Sequence, residues 1–328
     1  MAENVLIGID IGGTTTKIAL LTNDGNLIEK CVLPTPVSDD GTFLSVSVTQ
    51  TLDRLFETHH LPKESVAGIG VGAPGPVDQK TGVFFELTNL NWPDYFPMQD
   101  ILQTSTGLPV VINNDANCAA LGEMWRGAGM GSQDLVCLTL GTGIGGGVIV
   151  NGGIVQGVRG AAGEIGHYPS VVVDGAQCNC GKTGCLETIA SAAGIVRLAA
   201  ERVEDNRDCS KRLTSLLNRN GSISAKEVFA LAGVGDVTAL EVVTEAAQYL
   251  GVACASIANM LNPEKIVLGG GVSKAGDLLL HPVKSTYAKH AFPASASATE
   301  IVLARLGNDA GVIGAAWMIK QLDERELR

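Results

Sequence analysis

Apolar residues open the chain as one short run, Val5 to Ile11, broken only by Gly8 and Asp10. The run gives way to Gly12-Gly13-Thr14 and resumes from Lys17 to Leu21. Two such runs around a Gly/Thr turn predict a β-hairpin at the edge of a sheet. The pattern returns at Leu135–Leu140, followed by Gly141-Thr142-Gly143 and then by Gly147–Val150. Ile9-Asp10-Ile11-Gly12 overlies Leu138-Thr139-Leu140-Gly141 at a constant offset of 129 residues (138 − 9). Strand, glycine-bearing turn and strand recur in both places. This weak internal repeat predicts two halves of like architecture facing each other; a chance match of two glycine-rich hairpins is the alternative.

Between the two hairpins, Val66–Val71 and Val110–Ile112 read as strands, while Phe43–Thr58 and Ala116–Arg126 carry helical periodicity. Beyond residue 187 the pattern is mostly helical, through Ala190–Val203, Ala225–Ala232 and Leu240–Leu261. A strand at Lys265–Leu268 runs into Gly269-Gly270-Gly271, and Asp309–Leu322 reads as a terminal helix. Asp205–Ser222, with mixed charges and an Asn-Gly pair, reads as a mobile surface loop. Alternation of this kind predicts a layered α/β fold.

Composition and charge sharpen this picture. A length of 328 residues, 45% of them hydrophobic, allows about two domains with a sizeable core. A net charge of −11 argues against a nucleic-acid or anionic-membrane surface, since phosphate binding needs a basic field. The N-terminus has an acid at Glu3 and no basic segment before its apolar run, so a cytoplasmic protein without an export signal is expected. The 41 glycines are clustered, which marks turns where backbone can approach a ligand closely.

Three segments hold candidate chemistry. Asp10, at a strand end, precedes the turn Gly12-Gly13-Thr14 and Lys17; amides and hydroxyls there suit phosphates, and the carboxylate suits Mg²⁺ and its waters. No GxxxxGK[ST] loop occurs, and Gly141–Gly147 runs into a strand rather than a helix, which disfavours a dinucleotide fold. Asp115 follows a strand and precedes a helix. It reads either as a helix N-cap or as a general base at a strand C-terminus, where open α/β sheets bind ligands. Eight cysteines without an export signal point to thiols or metal rather than disulfides. Cys178, Cys180 and Cys185 lie within eight residues, with glycines between them that let thiolates converge on one tetrahedral ion. His167 is the nearest fourth ligand for a structural Zn²⁺; a redox-active or coincidental thiol cluster is the alternative. The other cysteines, Cys209 among them, read mostly as core fillers.

Together these residues resemble the ROK family of sugar kinases and repressors, within the actin/hexokinase superfamily. The resemblance spans essentially the whole chain. Its most specific stretch runs from Leu140 through Gly141–Gly147, Asn151-Gly152, Gly157 and Ala162-Gly163-Glu164-Ile165-Gly166-His167 to Cys178, Cys180, Cys185 and Glu187. Gly72–Asp78, Asn89–Trp92, Asn114–Asn117 with Glu123, and Leu268–Ser273 agree as well. Within the family the chain is similar to the glucokinases of Gram-positive bacteria.

The resemblance implies a duplicated, ribonuclease H-like fold of two α/β domains with the active site in the cleft between them. A small domain would span 1–117 with the C-terminal helix 309–328, and a large one 118–308 with the zinc site. It makes Asp115 the base for the sugar 6-hydroxyl. Asn114, Glu164, His167 and Glu187 would bind the other hydroxyls, with Gly75 and Asn89 nearby. Asp10, Gly12, Gly13, Thr14 and Lys17 would form one phosphate loop and Gly141, Thr142 and Gly143 the second. Gly269, Gly270, Gly271 and Val272 would lie against adenosine. The implied reaction uses ATP and Mg²⁺ on glucose in a homodimer; N-acetylmannosamine, mannose or fructose is the alternative acceptor. Repressors of the family carry a DNA-binding module ahead of the first strand. With that strand starting at about Val5 no such module is expected, and the charge does not suit DNA.

Overall fold

The computed structural model describes residues 4–36, 41–87, 90–205 and 210–326. Asn89 and Cys209 lie outside the described residues.

Two five-stranded sheets with the same strand connectivity organise the chain. In the first, β1 (Val5–Ile11), β2 (Thr15–Leu21) and β3 (Leu27–Pro34) form an antiparallel meander, and β4 (Val66–Ala73) and β7 (Val110–Asn114) extend it in parallel, in the order β3-β2-β1-β4-β7. Helix α1 (Thr42–His59), the two-residue strands β5 (Val77–Asp78) and β6 (Val83–Phe84), and α2 (Met98–Thr106) lie between. After α3 (Asp115–Arg126) the arrangement repeats: β8 (Leu135–Leu140), β9 (Ile144–Val150) and β10 (Gly153–Ile154) form the meander, and β11 (Lys265–Gly269) and β12 (Glu300–Leu303) add in parallel. The repeat predicted from Ile9 and Leu138 is therefore a duplication of topology. The first hairpin is not at an edge, however. β1 is central, and the edge is β3, where Glu29 and Lys30 split the apolar residues into the short runs Leu27-Ile28 and Cys31-Val32-Leu33 and most positions are exposed.

Helices α4 (Glu187–Ala190), α5 (Ala192–Glu204), α6 (Lys211–Asn220), α7 (Ala225–Gly233), α8 (Val237–Leu261), α9 (Asp277–His290) and α10 (Pro293–Ala298) belong to the second half, and α11 (Ala310–Glu326) ends the chain. The expected loop over Asp205–Ser222 is contradicted by α6. Ser210 caps it by accepting from the amides of Arg212 and Leu213, Leu213 is fully buried, and Gly221, left-handed at φ 69°, stops it. The charged residues are simply its solvent side.

α11 lies on β1 and β4, and α3 lies on β8 and β9, so the two helices meet between the two sheets. Glycine makes that meeting possible. A Cβ on Gly314 would stand 1.7 Å from the carbonyl oxygen of Cys118, and one on Gly122 would stand 2.1 Å from that of Ala310. The same device explains the glycine run of β9: Gly145 and Gly147 face α3 closely, while Gly146 faces the backbone of Gly163. The fold thus brings α3, with Asp115 at its start, between both halves.

Candidate active site

Parallel register places Asp10 beside Gly72, and Gly72 beside Asn113, so the carboxyl ends of β1, β4 and β7 share one edge. Asp115 follows directly. The helix cap is Asn114 rather than Asp115: Asn114 is extended (φ −64°, ψ 146°), and its Oδ1 accepts from the amides of Ala116 (2.9 Å) and Asn117 (3.2 Å). Asp115 is the first helical residue, although its Oδ1 also accepts from the Ala116 amide at 2.8 Å. The Asn114 side-chain amide donates to the carbonyl of Gly75 at 3.3 Å, which ties the Gly75 turn to the start of α3. Asn113 Oδ1 accepts from the Asn114 amide (2.8 Å) and from Asn117 Nδ2 (3.0 Å), so three asparagines fix the backbone under Asp115.

Three carboxylates from separate segments converge here. Burial first, and then the charges of Asp10 and Glu164, together raise the Asp115 carboxyl to about 6 against the opposing Ala116 N–H. Asp10 is held across the β1–β2 hairpin by Lys17, whose Nζ is 2.7 Å from Oδ2, and it also lies against Gly311 in the first turn of α11. A carboxyl that titrates near neutrality beside a paired carboxylate is the arrangement a general base needs.

The second group lies on the segment between β10 and α5. Glu164 precedes a single turn of 3₁₀ helix, Ile165–His167, and its Oε2 is 3.9 Å from His167 Nε2. The other ring nitrogen, Nδ1, is 3.6 Å from Cys178 Sγ and 3.8 Å from Glu187 Oε1. Glu187 accepts from the Cys178 thiol at 3.1 Å through Oε1 and from the Ile144 amide at 3.3 Å through Oε2. The ligand atoms of His167, Cys178, Cys180 and Cys185 all lie within 4.8 Å of one another. A tetrahedral zinc with bonds of about 2.3 Å to sulfur and about 2.0 Å to nitrogen separates two sulfurs by about 3.8 Å and sulfur from nitrogen by about 3.5 Å. Cys180 Sγ to Cys185 Sγ measures 3.7 Å, beside the 3.6 Å of Cys178 to His167. The donor set fits such an ion.

Glycine turns complete the site. The Gly12 amide donates to the Thr15 carbonyl at 2.9 Å, closing the β1–β2 turn around Gly13 and the exposed Thr14. Gly141, Thr142 and Gly143 form the equivalent turn: the Gly141 amide donates to the Gly143 carbonyl, and the Gly141 carbonyl accepts from the Ala192 amide, both at 2.9 Å. Glu187 Oε2 would stand 2.5 Å from a Cβ on Gly143, so the second turn abuts the metal group. At the end of β11, Gly270 and Gly271 are exposed, whereas Gly269 is buried and the Val272 side chain belongs to the core. Any ligand there meets backbone, not the valine.

A family model for the ROK family matches residues 6–322. The chain belongs to the ROK family. It is 49% identical over 321 residues to a glucokinase of Halalkalibacterium halodurans, covering 98% of this chain and 96% of that protein. A glucokinase of Thermotoga maritima is 36% identical, covering 98% of this chain and 99% of its own length. The crystal structure of a ROK family glucokinase from Streptomyces griseus, in complex with glucose and AMPPNP, superimposes with a TM-score of 0.78 at 33% identity, covering 97% of this chain and all of that one. The two-domain sugar-kinase fold expected from the sequence is the fold of this family.

Proposed function

We propose that this ROK protein is a glucokinase, transferring the γ-phosphoryl group of ATP to the 6-hydroxyl of glucose. The meeting of Asp10 and Asp115 at one strand edge, with the charge of Glu164 from the second half acting on an Asp115 carboxyl raised to about 6, is the observation that carries this reading. The full-length glucokinase relatives and the neighbour holding glucose and AMPPNP support it.

Phosphoryl transfer needs positioning and charge neutralisation more than covalent chemistry. In this mechanism Asp115 accepts the 6-hydroxyl proton as that oxygen bonds to the γ-phosphorus and the bond from that phosphorus to the bridging oxygen breaks, releasing ADP. Gly12, Gly13 and Thr14 on one side, and Gly141, Thr142 and Gly143 on the other, offer backbone N–H groups to the phosphates, while Gly269 to Val272 offer backbone to the adenosine. Asp10 would hold Mg²⁺ and its waters, and Lys17 keeps Asp10 in place. Mg²⁺, when bound, supplies neutralisation of the phosphate charge. Glu164, His167, Glu187 and the Asn114 amide bind the remaining hydroxyls near Gly75 and Asn89; Asn114 Oδ1 is already committed to the helix cap. Zinc, when bound by His167 Nδ1 and the three cysteines, supplies a crosslink that leaves His167 Nε2 for sugar.

The reading further divides the chain into a small domain, 1–117 with 309–328, and a large domain, 118–308. Closure of the two around substrate would keep water from competing as acceptor. The boundary falls in the first turn of α3, which leaves most of that helix against the second sheet. A cytoplasmic homodimer acting on small molecules completes the proposal. No helix among the described residues is long and apolar enough to cross a membrane.

A coupled ADP-release assay over a panel of hexoses, first with ATP and then with polyphosphate, tests the reading. A hydroxyl turned the wrong way leaves a carboxylate or imidazole unpaired, at about 1–3 kcal/mol, or roughly ten- to a hundredfold in kcat/KM. Glucose should therefore lead, with mannose weaker, galactose weaker still and N-acetylmannosamine poor. N-acetylmannosamine above glucose would keep the kinase and discard the glucokinase.

A further inference from the structure

Glu123 lies two turns beyond Asp115 on α3 and is fully buried. Its carboxylate faces backbone amides. Oε2 accepts from the Ala128 amide at 2.7 Å, Oε1 accepts from the Leu306 amide at 2.8 Å, and the Arg305 amide stands 3.1 Å from both oxygens. The turn after α3 is built around the group, since a Cβ on Gly127 would stand 2.0 Å from Oε2. An apolar residue here would leave three amides without acceptors, and such unmet groups are costly. Charge-assisted bonds to amides are also the stronger kind.

The amides of Arg305 and Leu306 belong to the connection that leaves β12, in the second sheet, and enters α11, on the first. At the start of α11, Gly311 lies against the Asp10 carboxylate. Glu123 therefore ties the helix that begins with Asp115 to the segment that sets the start of the helix packed on Asp10. Along α3 the backbone contacts of Gly122 with Ala310 and of Gly314 with Cys118 make this junction stiff.

We propose that Glu123 is a positioning residue for phosphoryl transfer: its buried carboxylate pins the β12-to-α11 connection to α3 and so fixes Asp115 relative to Asp10. This rests on the kinase reading above. Of the groups proposed to hold the sugar, Glu164, His167 and Glu187 lie on another segment and are not among its partners, and only the Asn114 amide shares α3 with it. Loosening the pin should thus affect turnover rather than sugar binding.

The test compares Glu123→Gln with Leu121→Ala in the intact protein, by steady-state kinetics with glucose and ATP and by thermal melting. Leu121 lies on the same helix, buried in a core cluster with Leu135 and Met318, and serves as a control for destabilisation alone. Expected for Glu123→Gln is a fall in kcat of about tenfold or more with KM for glucose within about threefold, since small displacements of reacting groups are expensive. Leu121→Ala should lower the melting temperature yet keep kcat within about threefold. If Glu123→Gln does not fold, Glu123→Asp, which keeps the charge but withdraws it by one methylene, is read by the same criteria. An active wild type with an unimpaired Glu123 variant, or with equal kcat loss in Leu121→Ala at equal destabilisation, overturns the role of Glu123 alone. A wild type that phosphorylates no hexose overturns the kinase reading and this proposal with it.

Discussion

Asp115 is asked to be ionised for catalysis in surroundings that resist its ionisation. Its carboxyl, ordinarily near 3.8, is raised to about 6 by burial and by the charges of Asp10 and Glu164. As a base it works only when deprotonated, so kcat/KM should fall about tenfold per pH unit below about 6 and level off above it. Stability runs the other way. The folded state holds this proton more tightly than the unfolded chain, so raising the pH from 3.8 through about 6 costs folding free energy. Asp115→Asn should escape that cost while losing roughly 10²–10⁴ of kcat. Melting curves at pH 7.5 should show the variant at least as stable as wild type, and the advantage should vanish near pH 4. Wild-type turnover in Asp115→Asn would remove Asp115 from the mechanism, and a variant less stable at pH 7.5 would remove the electrostatic burden. The carboxylate at a strand end was legible in the sequence. Which residue capped the helix was not: Asn114 and Asp115 both suit an N-cap, and only the extended backbone of Asn114 decides between them.

At the scale of elements, the metal loop makes the sharpest claim. Elemental analysis should find one zinc per chain. Chelation, or Cys180→Ser, should lower both the melting temperature and the affinity for glucose. The physical link is short: His167 reaches Cys178 through Nδ1 and Glu164 through Nε2, and Glu187 accepts from the Cys178 thiol. Releasing the ion frees His167 and returns a proton to Cys178, whose thiol then holds Glu187; both groups are proposed to face sugar. Structural zinc contributes about 10–16 kcal/mol in small peptides, and less is expected in a domain with a core of its own. Metal-free protein with full activity and an unchanged melting temperature refutes the claim. The gathering of His167 with the three cysteines was legible, because cysteine spacing survives without tertiary context. The sequence was read poorly wherever the third dimension decides. β3 is an exposed edge whose apolar run Glu29 and Lys30 interrupt, α6 hides Leu213 among charges, and α9 carries an internal Pro282 that argues against a helix when read alone.

At the scale of the molecule, the offset of 129 residues between two short motifs pointed to a duplication that the matching strand orders display in full. What the motifs could not convey is how the halves meet. They meet at α3 and α11, through glycines that permit contact between helix backbones, and this yields a prediction apart from any catalytic side chain. In Gly314→Ala the new methyl would stand 1.7 Å from the Cys118 carbonyl oxygen and 2.5 Å from the Gly122 amide nitrogen. Neither obstacle is a flexible side-chain end, so the helices must spread, at about 1–3 kcal/mol or more. Asp115 starts one of these helices, and Asp10 rests against the first turn of the other. Spreading them should lower kcat along with the melting temperature. Gly233→Ala is the matched control. It is also a glycine-to-alanine change within a helix, but the nearest neighbour to its new methyl is the Leu278 side chain at 3.6 Å, an ordinary contact. There the higher helix propensity of alanine should leave activity unchanged and stability equal or raised by up to about 1 kcal/mol. If Gly314→Ala melts and turns over like Gly233→Ala, the close approach of the helices does not hold the two halves in register, and the catalytic carboxylates are aligned by other contacts.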